Sequence, residues 1–133
     1  MKTWIAPALL ALSTIALAAP AYAVQIDNII LSAEEDGAEN QDVFTADTPM
    51  IYLSANLVEF PSSSTITVIW TSVDSHGAAP ANYIIAQIDL TAVDVDILTS
   101  TLSKPDAGWP VGTYRVDMVY EGAVAGSANF EVK

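Results

Sequence analysis

The segment that follows the first predicted strand carries the side chains best suited to bind a metal ion. Five carboxylates fall close together in the loop 33–47: Glu34, Glu35, Asp36, Glu39 and Asp42. Calcium takes roughly six to eight oxygen ligands, and acidic side chains around a glycine turn can supply them. The spacing of an EF-hand loop is absent, so the competing interpretation is a solvated loop whose carboxylates repel one another. Calcium is therefore the one candidate ligand, and the sequence predicts no cofactor.

A second segment has the residue types of a hydrolase triad without its arrangement. Asp74, Ser75 and His76 are consecutive, and neighbouring side chains on an extended loop diverge, whereas a triad requires hydrogen bonds that converge from separate segments. His76 is the only histidine, and the chain has no cysteine. That composition excludes the usual single-chain zinc, copper and haem sites. We therefore expect no enzymatic activity.

Three aromatic residues lie at or near predicted loops: Trp109, Tyr83 and Phe60. Exposed together, they would offer a surface on which a sugar or a peptide can stack. The alternative is that Trp109 and Pro110 pack over one end of the fold and stiffen the entry to the following strand. The sequence leaves both interpretations open.

The elements that position these residues are β-strands. Alternation of apolar and polar residues, interrupted by turn-forming residues, is the pattern of a half-buried strand. The strand candidates are residues 24–32, 50–57, 65–71, 83–90, 93–99, 114–120 and 124–132. They follow one another without a helical period, which favours a β-sandwich over a mixed fold. Inside the acidic loop, Val43 and Phe44 form one further possible strand seed.

The alternation also predicts which side chains face the core. In the second and third candidate strands the inward positions are Ile51, Leu53, Ala55, Leu57, Ile66, Val68 and Trp70. After a predicted turn at Thr91 and Ala92, the same pattern places Val93, Val95 and Ile97 inward. In the penultimate strand, Tyr114 and Val116 begin the inward series and Arg115 begins the outward one.

These residues resemble an immunoglobulin-like or fibronectin type III-like domain of bacterial extracytoplasmic proteins. Trp70 lies inward on the third strand, where such domains keep a core tryptophan, and Gly112 and Tyr114 open the penultimate strand at the position of a tyrosine corner. The cysteine pair of antibody domains is missing. The resemblance implies an all-β fold: a single antiparallel immunoglobulin-like β-sandwich of about seven strands. In it Trp70, Tyr114 and Gly112 are structural.

The beginning of the chain has the features of a secretory signal peptide. Lys2 precedes an apolar run that Pro7 interrupts, and Ala21-Tyr22-Ala23 has the small-x-small pattern of a cleavage site. We expect cleavage after Ala23, which leaves residues 24–133 as one sandwich domain. The mature protein is then exported, either periplasmic or extracellular, and is not inserted in a membrane.

Charge restricts the partners of that domain. Residues 24–133 contain all sixteen acidic residues against Lys104, Arg115 and Lys133, a net charge of −13. Nucleic acids and anionic membranes are bound by basic side chains that neutralise phosphates, so both are disfavoured. The same charge favours solubility and attracts cations.

The function that the sequence supports is an exported interaction module that binds a protein partner through loops at the ends of the sandwich. The loops concerned are 33–47, 73–82 and the segment around Trp109, because rigid sandwiches carry recognition on their loops. One alternative is a structural subunit of a surface filament or matrix that assembles by β-strand exchange. A further alternative is a carbohydrate-binding module.

Overall fold

The computed structural model describes residues 24–133 of the chain as two packed β-sheets. The predicted signal peptide, residues 1–23, lies outside the described residues. The strands are β1 (Gln25–Ser32), β2 (Val43–Phe44), β3 (Met50–Val58), β4 (Ser63–Asp74), β5 (Tyr83–Val93), β6 (Ile97–Ser103), β7 (Gly112–Tyr120) and β8 (Ala123–Val132). The all-β sandwich is therefore confirmed, with the seed at Val43 and Phe44 as an eighth short strand. No helix among these residues has the length and apolar character needed to cross a membrane.

The two sheets differ in width. One has three strands in the order β1-β3-β6, and the other has five in the order β2-β8-β7-β4-β5. All neighbours are antiparallel except β2, which runs parallel to the end of β8. Because the wider sheet has two more strands than the narrower one, the narrower sheet cannot cover all of the inner face of the wider sheet.

The core forms where the sheets overlap, and it follows the predicted alternation. The inward residues of β3 and β4 are buried, with Ile51, Ile66 and Val68 fully inaccessible to solvent. Phe130 lies at the centre of an aromatic cluster: its ring stacks on Tyr114 at 5.0 Å and meets Trp70 edge-on at 6.2 Å. Such pairs add to the stabilisation that comes from the burial of apolar area, so this cluster contributes to the stability of the core.

The turn predicted at Thr91 and Ala92 is wrong, and so are the inward positions predicted after it. The structure continues β5 through Thr91 and Ala92 to Val93 and turns only at residues 94–96. Val93, Val95 and Ile97, predicted to face inward, are all more than half exposed. The turn is fixed by tertiary bonds, since Asp94 donates its N–H to the Ser62 carbonyl and the Asp96 carbonyl accepts from Leu57. Local alternation carries no information about those distant partners.

The closing hairpin is confirmed. Glu121 and Gly122 connect β7 to β8, and both have positive φ angles, 50° and 82°. Two successive residues of that kind make the turn whose twist matches a β-hairpin. The pairing then places Tyr114 opposite Phe130, which brings the two rings of the core cluster together.

Candidate functional site

The segment between β6 and β7 is clamped onto one end of the sandwich. Trp109 is 3% exposed, and its indole N–H donates to the Thr48 carbonyl at 2.7 Å. The Tyr114 hydroxyl donates to the Pro110 carbonyl four residues upstream, the arrangement of a tyrosine corner. Burial raises the pKa of that hydroxyl. The two hydrogen bonds hold this segment in place, so it forms a rigid wall at one end of the sandwich.

Gly112 allows the wall to join the sheet. Its φ angle is 155°, and a Cβ at this position would collide with the backbone carbonyl of Asp74. Only glycine permits so close an approach of two backbones. As a result β7 begins directly against the end of β4.

The loop between β4 and β5 forms the facing wall and is held by its own hydrogen bonds. The Ser75 hydroxyl accepts from the Ala79 N–H at 2.8 Å and donates to the Ala79 carbonyl. The Asp74 carboxylate accepts from the backbone N–H of His76. None of these bonds links a serine to an imidazole, so the three consecutive residues act as a turn and not as a catalytic triad.

Between the two walls lies an apolar cleft of about 250 Å³, here called the loop-end cleft. Its lining includes Ser72 on β4, Tyr83 on β5, Ala79 from one wall, and Pro105 and Trp109 from the other. Tyr83 is 52% exposed and forms part of the rim, whereas Trp109 is buried in the wall. Two of the loop regions predicted to carry recognition therefore meet around one cavity.

Ser72 is the unusual member of this lining. It is 4% exposed, and its hydroxyl is the single buried side-chain polar atom among residues 24–133 that lacks a hydrogen-bond partner. Leaving a buried polar group unpaired costs about 1–3 kcal/mol. A ligand whose polar atom reached this hydroxyl would supply the missing hydrogen bond.

The sequence contained a signal for Ser72 that the strand assignment missed. The third candidate strand ends at residue 71, whereas β4 continues to Asp74. One more step of the alternation from Val68 and Trp70 places Ser72 on the inner face. A polar residue at an inward position of a strand is the sequence signal that indicates Ser72 as a candidate site residue.

The three aromatic residues proposed as one exposed surface do not form one. Trp109 is buried, and Phe60 packs against Tyr120 with ring centroids 4.9 Å apart, at the opposite end of the wider sheet from Tyr83. The stacking interpretation of Trp109 is therefore wrong and the packing interpretation is correct. Tyr83 alone of the three presents a largely exposed ring.

The acidic loop is ordered by backbone and amide contacts. The Asn40 side-chain oxygen accepts from the Leu31 N–H, and the Gln41 N–H donates to the Leu31 carbonyl. The five predicted ligands are exposed, namely Glu34, Glu35, Asp36, Glu39 and Asp42. No three acidic or histidine side chains in the described part of the chain gather closely enough to hold a metal ion. The structure thus does not assemble the predicted calcium ligands.

A second apolar surface runs along β5, on the side where the wider sheet extends past the narrower one. We call it the open flank and define it as the inner face of β5 together with the adjacent strand β6. A groove of about 390 Å³ lies there, lined by Trp70, Ala86, Ile88, Leu90, Thr99, Ser100 and Thr101. The loop-end cleft continues along the same strand, since it is lined by Tyr83 and Ile85.

Comparison with known proteins shows the fold. The chain is similar to an immunoglobulin-like protein of Pseudomonas aeruginosa, with a TM-score of 0.54 and 14% identity over 86% of this chain and 100% of the other. It is also similar to the alkylpurine DNA glycosylase AlkC of Pseudomonas fluorescens, with a TM-score of 0.51 and 20% identity over 83% of this chain but only 30% of that enzyme. No family model and no curated protein matches the sequence. Residues 24–133 thus have an immunoglobulin-like fold.

Proposed function

We propose that the chain is an exported, non-enzymatic interaction module that binds a protein partner at the loop-end cleft. The observation that carries this proposal is the Ser72 hydroxyl, buried and unpaired in a cleft whose other lining is almost wholly apolar. Ligand pockets combine apolar walls with a few placed polar groups. The cleft has that composition at small scale.

The size of the cleft indicates what enters it. Pockets for free small molecules usually enclose about 300–1,000 Å³, and this cleft encloses about 250 Å³. One large side chain of a partner suits that space better than a whole metabolite. A side chain with an apolar body and a polar tip would pack against Tyr83 and offer Ser72 its missing hydrogen bond.

The charge of the domain indicates the surroundings of that side chain. Asp74 and Asp106 are exposed beside the cleft, and residues 24–133 carry a net charge of −13. Complementary charge speeds encounter and selects partners. The partner surface that fits is therefore basic around an apolar anchor.

Geometry also supports the non-enzymatic part of the proposal. His76 is exposed, and the described contacts of Asp74 and Ser75 are to backbone groups of their own loop. A nucleophile requires a base within hydrogen-bond reach, and this segment provides none. The few charged side chains near the cleft lie outside its lining.

Two alternatives have less support. Sugar stacking is left without a flat exposed tryptophan, because Trp109 is buried. Assembly by strand exchange would have to remove β1 from its own sheet, where it pairs with β3 from Gln25 to Ser32. Light scattering of the exported protein over a range of concentrations tests the strand-exchange alternative, and we expect a monomer.

Selection from a random peptide library tests the cleft directly. We expect selected peptides to carry an aromatic or long aliphatic residue among basic ones, and Tyr83→Ala to weaken their binding about tenfold, near 1.4 kcal/mol. Val124→Ala is the control, because Val124 is also exposed but lies on β8. Failure to select any peptide, or equal binding by both variants, would contradict the proposal.

Export has its own test. Amino-terminal sequencing of the protein recovered outside the cytoplasm is expected to begin at Val24. Retention of residues 1–23 in the recovered protein would show that the segment is not a cleaved signal peptide.

A further inference from the structure

The inner face of β5 is only partly covered: Ala92 is buried and Leu90 packs against the core, whereas Ile88 is 49% exposed. Its hydrogen-bonded neighbour is β4, and the narrower sheet ends at β6. The register places Ala86, Ile88 and Leu90 directly beside Trp70, Val68 and Ile66. The inner faces of both strands are thus apolar at these positions.

Their burial is very different. Val68 is fully buried, whereas its partner Ile88 is 49% exposed. β4 is flanked by β7 and β5, whereas β5 is the edge strand, and the part of β5 around Ile88 lines a groove beside β6. An apolar stretch of β5 that residues 24–133 leave partly uncovered is a surface on which a partner can pack.

The edge of the narrower sheet lies beside this face. Among the described residues β6 pairs with β3 alone, so its other edge offers unpaired backbone N–H and C=O groups. The β6 sequence, Ile97–Ser103, has no charged residue and no proline. Charged residues and proline normally protect an exposed strand edge, because an unprotected edge pairs readily with another strand.

We propose that β6 accepts an extended segment of a partner protein as a fourth strand of the narrower sheet, and that this segment alternates apolar with basic residues. The apolar residues would face β5 and cover Ile88, while the backbone pairs with β6. β-strand addition obtains affinity from such main-chain bonds and specificity from alternate side chains. This inference rests on the proposed role as a protein-binding module, and it adds a second contact surface.

Charge favours a basic partner over a second copy of this chain. Asp94 and Asp96 are exposed at one end of the groove, and Asp106 is exposed beyond the other. Two copies would each bring a net charge of −13 to a shared interface, and like charges so placed oppose association. A strand with lysine or arginine on its outer face would be attracted instead.

Length fixes how much of a partner strand is held. β6 has seven residues, which extend about 23 Å at roughly 3.3 Å per residue. Since side chains alternate, about half of a partner segment of that length would face the groove. The remaining side chains would lie on the outer surface among solvent and carboxylates.

The test uses the exported protein and synthetic peptides as long as β6. One peptide alternates valine with lysine, and its control has the same residues with the valines in one block. We expect the alternating peptide to bind at least about tenfold more tightly. Two further versions carry N-methyl groups along one edge of the strand or along the other, and we expect one of them to lose binding and the other to keep it.

Two variants of the protein localise the contact. Ile88→Thr removes apolar area from the inner face, and we expect about fivefold weaker binding of the alternating peptide. Ile84→Thr is the matched control, because Ile84 is 51% exposed on the same strand but pairs with Thr71 on the outer face. It should leave binding unchanged.

Several results would overturn the inference. They are equal binding of the alternating and block peptides, equal behaviour of the two N-methylated versions, equal effects of the two isoleucine variants, or no binding at all. Dimers that Ile88→Thr disperses, without peptide binding, would assign the flank to a second copy. If Tyr83→Ala leaves the binding of library peptides unchanged while Ile88→Thr still weakens the alternating peptide, the function proposed for the cleft is wrong and strand addition is retained.

Discussion

The two halves of the five-stranded sheet have similar sequence patterns and opposite surroundings. On the side of β7 and β8, Tyr114, Val116 and Phe130 are at most 4% exposed beneath the narrower sheet. On the side of β5, Tyr83 and Ile88 are about half exposed. Alternation within a strand therefore decides which face is apolar, while the opposing sheet decides whether that face is buried. The uncovered half is where the molecule has apolar surface to offer a partner.

The largest expected effect comes from the covered half. Phe130 contacts Phe44, Trp70 and Tyr114 in one cluster, and we expect Phe130→Ala to lower the free energy of unfolding by about 3–5 kcal/mol. Tyr83→Ala, which removes an aromatic ring from the uncovered half, should change it by less than about 1 kcal/mol. Urea denaturation of both variants measures the contrast. Comparable losses would show that β5 is covered after all.

A pair of isoleucines on neighbouring strands sharpens the comparison. Ile66 is fully buried and Ile88 is 49% exposed, although both face inward. Ile66→Ala should cost about 2–5 kcal/mol because it leaves a cavity. Ile88→Ala should cost no more than about 1 kcal/mol. Calorimetry measures both losses in the free energy of unfolding, and equal losses for the two variants would be inconsistent with an uncovered flank.

The tyrosine corner gives a smaller effect with a pH signature. Tyr114→Phe removes the hydroxyl that donates to Pro110, and we expect a loss of about 1–2 kcal/mol because that carbonyl loses its partner. Burial raises the pKa of Tyr114, so its hydroxyl favours the folded state fully below the ordinary pKa of about 10 and loses this contribution as pH rises through the raised value. Unfolding between about pH 9 and 12 should show a shallower decline for Tyr114→Phe than for the original protein. Parallel declines would mean that Tyr114 titrates alike in both states.

The smallest predicted effect concerns the edge at which β1 approaches β8. A Cβ on Gly126 would lie 3.0 Å from the Cβ of Ile26 and 3.3 Å from the Cδ1 of Ile29. Gly126→Ala should therefore push β1 outward and cost about 1 kcal/mol, since overpacking displaces well-fitted neighbours. Amide exchange is expected to accelerate in β1 and to stay unchanged in β5. Uniform acceleration would indicate a global loss of stability instead.

The sequence predicts the fold correctly wherever the apolar positions of the alternation are also the positions that the structure buries. Tyr114, Val116 and Met118 alternate inward as expected, and Glu121-Gly122 supplies the hairpin turn. Alternation failed at Val93 and Ile97, because the true turn is held by bonds from Ser62 and Leu57, which are distant in sequence.

The candidate site was predictable only in part. The sequence predicts recognition at the loop 73–82 and at the segment around Trp109, and the structure shows that residues of both regions line one cleft. The sequence does not predict the open flank, because the width of each sheet depends on strand pairing over the whole domain. Nothing within β5 indicates that the opposite sheet stops at β6.

The central claim is that the open flank receives a partner strand. Amide hydrogen exchange with and without the alternating valine-lysine peptide tests it most directly, since the measurement locates protected backbone groups. Strand addition predicts slower exchange in Ile97–Ser103 on addition of the peptide, with little change in Val43–Phe44 or in the acidic loop. Protection confined to that loop, with unchanged exchange in β6, would show that the peptide binds by charge alone and would contradict the claim.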